Sequence, residues 1–222
     1  MKRGIGWESI TQSAECGEVL AKVAALRTKG ERVYPAPEDV FRAFDDCPFN
    51  KVRVVILGQD PYINEGQAIG RAFAVPASTE STEMPPSLKN IFKEVECNYP
   101  RLSTPKPTLE SWAKQGVFLL NTTLTVAHGD PDSHAPIGWK KAVTIPALKK
   151  LSDEREHLVF MLWGNRAKQF ERFLDQRQHL VLEASHPSPR SVKRFRGCGH
   201  FRKANDYLSE HGIKPIIWTN VP

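Results

Sequence analysis

Asp60, Asn121 and His186 lie far apart in the sequence, yet each closely follows a short apolar run. The run from Val52 to Leu57 ends in Gly58-Gln59-Asp60-Pro61-Tyr62, and the run from Val117 to Leu120 ends in Asn121-Thr122-Thr123. A third run, Leu158 to Trp163, leads into Gly164-Asn165, and a fourth, His179 to Leu182, is followed by Ser185-His186-Pro187-Ser188-Pro189. An acid, an amide and an imidazole can between them handle a proton, a water and a polar ligand. Singly each has a plainer use: Asp60 capping a turn, Asn121 opening one, His186 satisfied within a core. Three such residues after three strand-like runs point to a site.

The elements that would carry them can be read from the same pattern. The runs are rich in β-branched and aromatic residues and do not alternate with polar ones, as expected of strands covered on both faces. Between them Leu88, Ile91, Phe92 and Val95 recur at helical spacing, the mark of one buried helix face. Phe41 and Phe44 follow Glu38-Asp39, a shorter helix with acids in its first turn, and Asn165 to Asp175 reads as a helix buried through Ala167, Phe170 and Phe173 or Leu174. Strands separated by helices give an α/β fold: one domain over residues 1–222, with a central, four-stranded, mainly parallel sheet flanked by helices on both faces. In such sheets ligands sit outside the carboxyl ends of the strands, so Asp60, Asn121 and His186 converge on one edge.

Composition agrees with a globular chain: 222 residues, 40% hydrophobic and 25% charged, with a mean hydropathy of −0.42. Lys and Arg number 31 against 25 acids, a net charge of +6 that favours an anionic partner, nucleic acid first. Arg190, Lys193, Arg194, Arg196, Arg202 and Lys203 cluster just past His186, where they could hold a phosphodiester backbone. Cys16, Cys47, Cys97 and Cys198 are scattered, with no metal-type spacing, and are expected as reduced, buried thiols. His128, Asp130, Asp132 and His134 are the densest group of possible metal ligands, but their spacing fits no common metal site and they read as a solvated loop. No P-loop and no G-x-S-x-G elbow occurs. Met1 to Glu8 has no apolar stretch of signal-peptide length, and no window approaches a membrane span, so a soluble, cytoplasmic protein is expected. Ser87, after Pro85-Pro86, is the expected N-cap of the Leu88 helix, at an end that could also receive a phosphate.

Taken together, Gly58-Gln59-Asp60-Pro61-Tyr62, Leu119-Leu120-Asn121 and His186-Pro187-Ser188-Pro189 closely resemble the motifs of family 1 uracil-DNA glycosylases. The resemblance extends to Tyr34-Pro35-Ala36-Pro37, Pro85 to Asn90, Ser133-His134-Ala135 and Gly197-Cys198-Gly199-His200-Phe201, in order and over nearly the whole chain. It implies excision of uracil from DNA by cleavage of the N-glycosidic bond, with the base flipped into a pocket and with neither metal nor organic cofactor. By position in the motifs, Asp60 resembles the carboxylate that orients the attacking water, and His186 the histidine that hydrogen-bonds uracil O2 as charge develops there. Asn121 resembles the residue that reads uracil N3–H and O4, Tyr62 the aromatic that crowds C5, and Phe73 the ring that stacks on the base, while Gln59 contributes near O2. Ser87, Gly164, Asn165, Ser188, Arg190 and Ser191 fall in the loops that contact DNA. The implied partner is uracil-containing DNA, single- or double-stranded, acted on by a monomer with no membrane association.

The sequence also departs from the family's pattern. Ile63-Asn64-Glu65 stands where a histidine and Gly-Pro are usual, and Ile69 replaces a second histidine. Asn165 replaces a usual serine, with little loss expected. Arg190 stands where a leucine normally wedges into the gap left by the flipped base. Altered duplex engagement is therefore expected, together with weakened binding of the phage-type protein inhibitor that grips the same loop. Two other readings compete: a glycosylase for another deaminated base, and a DNA-binding relative without catalysis, against which the retained Asp60, Asn121 and His186 argue.

Overall fold

A computed structural model describes residues 4–100 and 103–219 of the chain. Met1 to Arg3, part of the stretch read for a signal peptide, lie outside the described residues. The strands are β1 (Val33–Tyr34), β2 (Val54–Gly58), β3 (Val117–Asn121), β4 (Val126–Ala127), β5 (Val159–Trp163) and β6 (Leu180–Ala184). The α-helices are α1 (Glu8–Thr11), α2 (Ala14–Thr28), α3 (Arg42–Asp46), α4 (Pro86–Asn98), α5 (Glu110–Lys114), α6 (Ile145–Glu154), α7 (Asn165–Lys168) and α8 (His200–Glu210).

The central sheet has the order β3-β2-β5-β6 and is parallel throughout. Its side chains alternate between two apolar clusters. Val55, Leu57, Phe118, Leu120, Phe160 and Leu162 face α2, α3 and α6, whereas Val54, Ile56, Val117, Leu119, Val159 and Met161 face α4, α5 and α8. Because both faces are covered, every residue of β2, β3 and β5 is buried, which is why these strands read as unbroken apolar runs. A separate antiparallel pair, β1 with β4, sits beside the sheet.

Several expected boundaries shift for local reasons. His179 is not a strand residue: it is buried, with Leu158 N–H donating to Nδ1 at 3.2 Å and Nε2 bonded to Ser152 O at 3.1 Å. The last strand therefore begins at Leu180 and runs on to Ala184. The helix expected over Asn165 to Asp175 breaks into α7 and a 3₁₀ turn, Glu171–Phe173. The tighter turn lets both Phe170 and Leu174 enter the core. Phe41 is likewise not helical: a 3₁₀ turn, Pro37–Asp39, precedes α3, which buries Ala43 and Phe44. Cys16 and Cys47 are buried as expected, and burial pushes the Cys47 thiol up to about 12, but Cys97 is exposed and Cys198 only partly covered.

Candidate active site

Since all four strands of the sheet run the same way, their carboxyl ends share one edge, and the loops leaving β2, β3 and β6 meet there. Gly58, the last residue of β2, pairs in register with Asn121 at the end of β3. A Cβ on Gly58 would fall 2.3 Å from Asn121 Oδ1, so only glycine leaves room for the carboxamide. The two loops are then tied together: Thr122 N–H donates to Gly58 O at 3.0 Å, and Thr123 N–H and Thr122 Oγ1 donate to Gln59 O at 3.0 and 2.7 Å.

Asp60 is held one residue beyond this junction. Its Oδ2 accepts the backbone N–H of Asp132 at 2.7 Å. Burial pushes its carboxyl above the usual carboxylate value of 3.8, and the Asp132 N–H draws it back. His186 is fixed from the other side of the cleft. Ser188 N–H donates to its Nδ1 at 3.0 Å, so in the neutral ring the proton sits on Nε2. Burial lowers the imidazole's pKa below 6.5, which keeps that neutral form at pH 7. The loop itself is anchored by Asn90, whose Nδ2 donates to Pro187 O at 2.8 Å, and by Ser191 Oγ, which donates to His186 O at 2.6 Å.

Gln59, Asp60, Tyr62, Phe73, Asn121 and His186 line one cleft of about 650 Å³, together with Ser87, Ser188 and Arg190. Gly164, Asn165 and Ser191 line an adjoining recess of about 280 Å³ that shares Gln59 and His186 with the first. Phe73 adopts φ +65°, and its ring centroid lies 5.8 Å from that of His186. Tyr62 Oη donates to the Phe73 backbone O at 2.9 Å, which ties the Tyr62 ring to the Phe73 main chain, and burial pushes its phenol well up. Gly164, at φ +91°, passes so close to His186 that a Cβ there would lie 3.0 Å from the histidine Cβ.

Some placements differ from expectation. Ser87 is not the N-cap of α4: Pro85 is, and Pro86 takes the first helical position, where a missing N–H costs nothing. Ser87 follows in the first turn and faces the cleft. Ile63 lines the cleft, whereas Ile69 packs against the core cluster beneath it. Arg190 and Arg194 face the cleft and the recess, but Arg202 turns away to donate to Asn98 O at 2.7 Å. The segment from His128 to His134 is a solvated loop only in part: His128 to Pro131 are exposed and Asp132 and Ser133 half-buried. His134 is buried, its Nδ1 2.8 Å from Thr125 Oγ1 and its Nε2 3.1 Å from Glu31 Oε1. Asp132 faces the helix α7, where it pairs with Arg166. The four ligand-type side chains thus diverge.

Two contributors had no role in the sequence reading. Asp132 acts through a backbone N–H, which leaves no side-chain signature. Glu94, fully buried in α4, accepts Gly197 N–H at 2.7 Å and Gly199 N–H at 2.9 Å, and so bolts the basic loop to that helix. Its i, i+4 partner Asn98 was the one available hint.

Residues 44–209 match the family model described as the Uracil DNA glycosylase superfamily. A protein of Dichelobacter nodosus named uracil-DNA glycosylase is 50% identical over 195 residues, covering 87% of this chain and 83% of its own. One of the same name from Neisseria gonorrhoeae is 49% identical over 203 residues, 90% of this chain and 91% of its own. The crystal structure of mimivirus uracil-DNA glycosylase superposes with a TM-score of 0.86 at 30% identity, covering 95% of this chain and 83% of that one. A mimivirus UNG variant in complex with UGI gives the same TM-score of 0.86 over 85% of that chain.

Proposed function

The chain belongs to the uracil DNA glycosylase superfamily, and on that premise we propose that Asp60, Asn121 and His186 carry out its excision of uracil from DNA. The reaction is a hydrolysis. The bond between the sugar C1′ and uracil N1 breaks, water adds its oxygen to C1′, and an abasic site is left to enter base excision repair. No redox partner is required for that balance.

The base leaves as an anion with charge on O2, and the sugar passes through an oxocarbenium-like state. His186 donates its Nε2–H to O2; the observation that carries this reading is the Ser188 N–H on Nδ1, which leaves the neutral ring a donor on its other nitrogen. Asp60 has Oδ2 occupied by Asp132 N–H and so turns Oδ1 to the water, orienting it and taking its proton while stabilising the cationic sugar. Asn121 accepts from uracil N3–H and donates to O4. Cytosine presents the reverse pattern and would leave the buried carboxamide unpaired. Phe73 stacks on the flipped base, Tyr62 occupies the space that a thymine methyl needs, and Gln59 serves O2. Ser87, Gly164, Asn165, Ser188, Arg190 and Ser191 receive the phosphates on either side. The enzyme works as a monomer in the cytoplasm.

The test is a labelled DNA strand with one uracil, incubated with EDTA and then treated with alkali to break abasic sites. Cleavage at uracil, and none at thymine or cytosine in the same position, is expected. Cleavage confined to another deaminated base, or binding without cleavage, favours one of the competing readings.

A further inference from the structure

We propose that Arg166 is a positioning residue for Asp60, acting through Asp132; this rests on Asp60 being the group that orients the water. The geometry is a relay of three residues, two from loops and one from α7. The Asp132 N–H that holds Asp60 Oδ2 belongs to a residue at φ +68°, a left-handed conformation that aspartate and asparagine tolerate better than other side chains. Asp132 Oδ1 is gripped by Arg166 Nη1 from the second residue of α7. Ala135 N–H accounts for the Asp132 carbonyl at 2.9 Å, so side chain, carbonyl and amide of this residue are each committed to a different neighbour. Arg166 also lines the recess beside Gly164 and Asn165, which places the relay next to the proposed phosphate contacts.

The pair has an electrostatic side as well as a geometric one. Asp132 sets a second carboxylate against Asp60, and like charges resist joint ionisation. Arg166 offsets it: the Asp132 charge raises Asp60 and the Arg166 charge lowers it. Other titratable and charged groups face the same cleft: Arg71 and Tyr62 from the segment after β2, and His186 and Arg190 from the loop after β6. As a stability device the pair has little to offer. Its side chains are 47% and 29% exposed, and such surface pairs contribute at most about 1 kcal/mol. Its place beside Asp60 is where an effect should appear.

The experiment follows the Asp60 carboxyl carbon by NMR in the free, labelled protein, assigned with Asp60→Asn, alongside the pH profile of single-turnover uracil release. Arg166→Ala is expected to move the Asp60 midpoint up, because the charge that lowers it is lost, with the acid limb of release following and the melting temperature unchanged. Arg166→Lys restores most of it. Asp132→Asn keeps the backbone N–H and removes the like charge, so the midpoint moves down. Midpoints unmoved in Arg166→Ala and Asp132→Asn, or moved in the same direction by both, overturn the proposal even if uracil release is intact. Opposite shifts in a protein that releases no uracil support the relay and sink the functional reading instead.

Discussion

At the scale of single residues, the site depends on which nitrogen of His186 holds a proton. Burial lowers that imidazole from its usual 6.5 and raises Asp60 from its usual 3.8. Protonating His186 would put a proton on Nδ1, where Ser188 N–H already points, and the ring would lose its fit. Excision is therefore expected to hold at neutral pH and to fall only as pH drops below 6.5. A ring ¹⁵N spectrum at pH 7 should show Nε2 protonated and Nδ1 bare; the opposite tautomer, or an acid midpoint above 6.5, contradicts the assignment. Asp60, Asn121 and His186 were legible because each ends a strand-like run with a side chain of distinct chemistry. Asp132 and His134 were not: one serves through its amide, and the other is a buried polar residue in a segment whose Gly, Pro and Asp content reads as surface.

At the scale of elements, the loop carrying His186 is as much a part of the site as the ring. Asn90, on α4, holds Pro187 O from within the core, and Trp163 Nε1 donates to His200 Nδ1 at 3.0 Å, which closes the far side of the same loop. Asn90→Ala leaves a buried carbonyl without its donor, so a loss of about 1–2 kcal/mol in urea unfolding is expected, together with a reduced rate of uracil release. Full stability with full activity would show that the loop is held elsewhere. The strands of the sheet were readable because burial on both faces writes an unbroken apolar run. Three of the longer helices were not. The buried stripe of α2 is Cys16, Val19 and Val23 in an alanine-rich segment with little contrast. The segment ahead of α6 is a π turn, Lys140–Thr144, which breaks the helical period before it is established. In α8, Arg202 and Lys203 drew the reading toward DNA contact, although Phe201, Ala204 and Leu208 face the core.

At the scale of the whole molecule, a chain of net charge +6 gathers its cleft, its recess and the cations Arg190, Arg194 and Arg166 at one edge of the sheet. Among the described residues no helix is long and apolar enough to cross a membrane. In the proposed reaction duplex DNA is opened at that edge, at a cost of a few kcal/mol per flipped base. Arg190, exposed at the rim, cannot fill the vacated stack as an apolar wedge does. The parent is expected to favour uracil in single strands over U·A and U·G pairs, and Arg190→Leu to narrow that gap several-fold and to tighten binding of the phage-type inhibitor. Identical strand ratios in both proteins would remove Arg190 from duplex engagement. The most direct measurement of all is the single-turnover rate of uracil release from a one-uracil strand by the parent, Asp60→Asn and His186→Ala. Losses of about 10²–10⁴-fold and 10²–10³-fold, with DNA affinity changed by less than a few fold, are the expected result. A rate within twofold of the parent for either variant would contradict the assignment of the site.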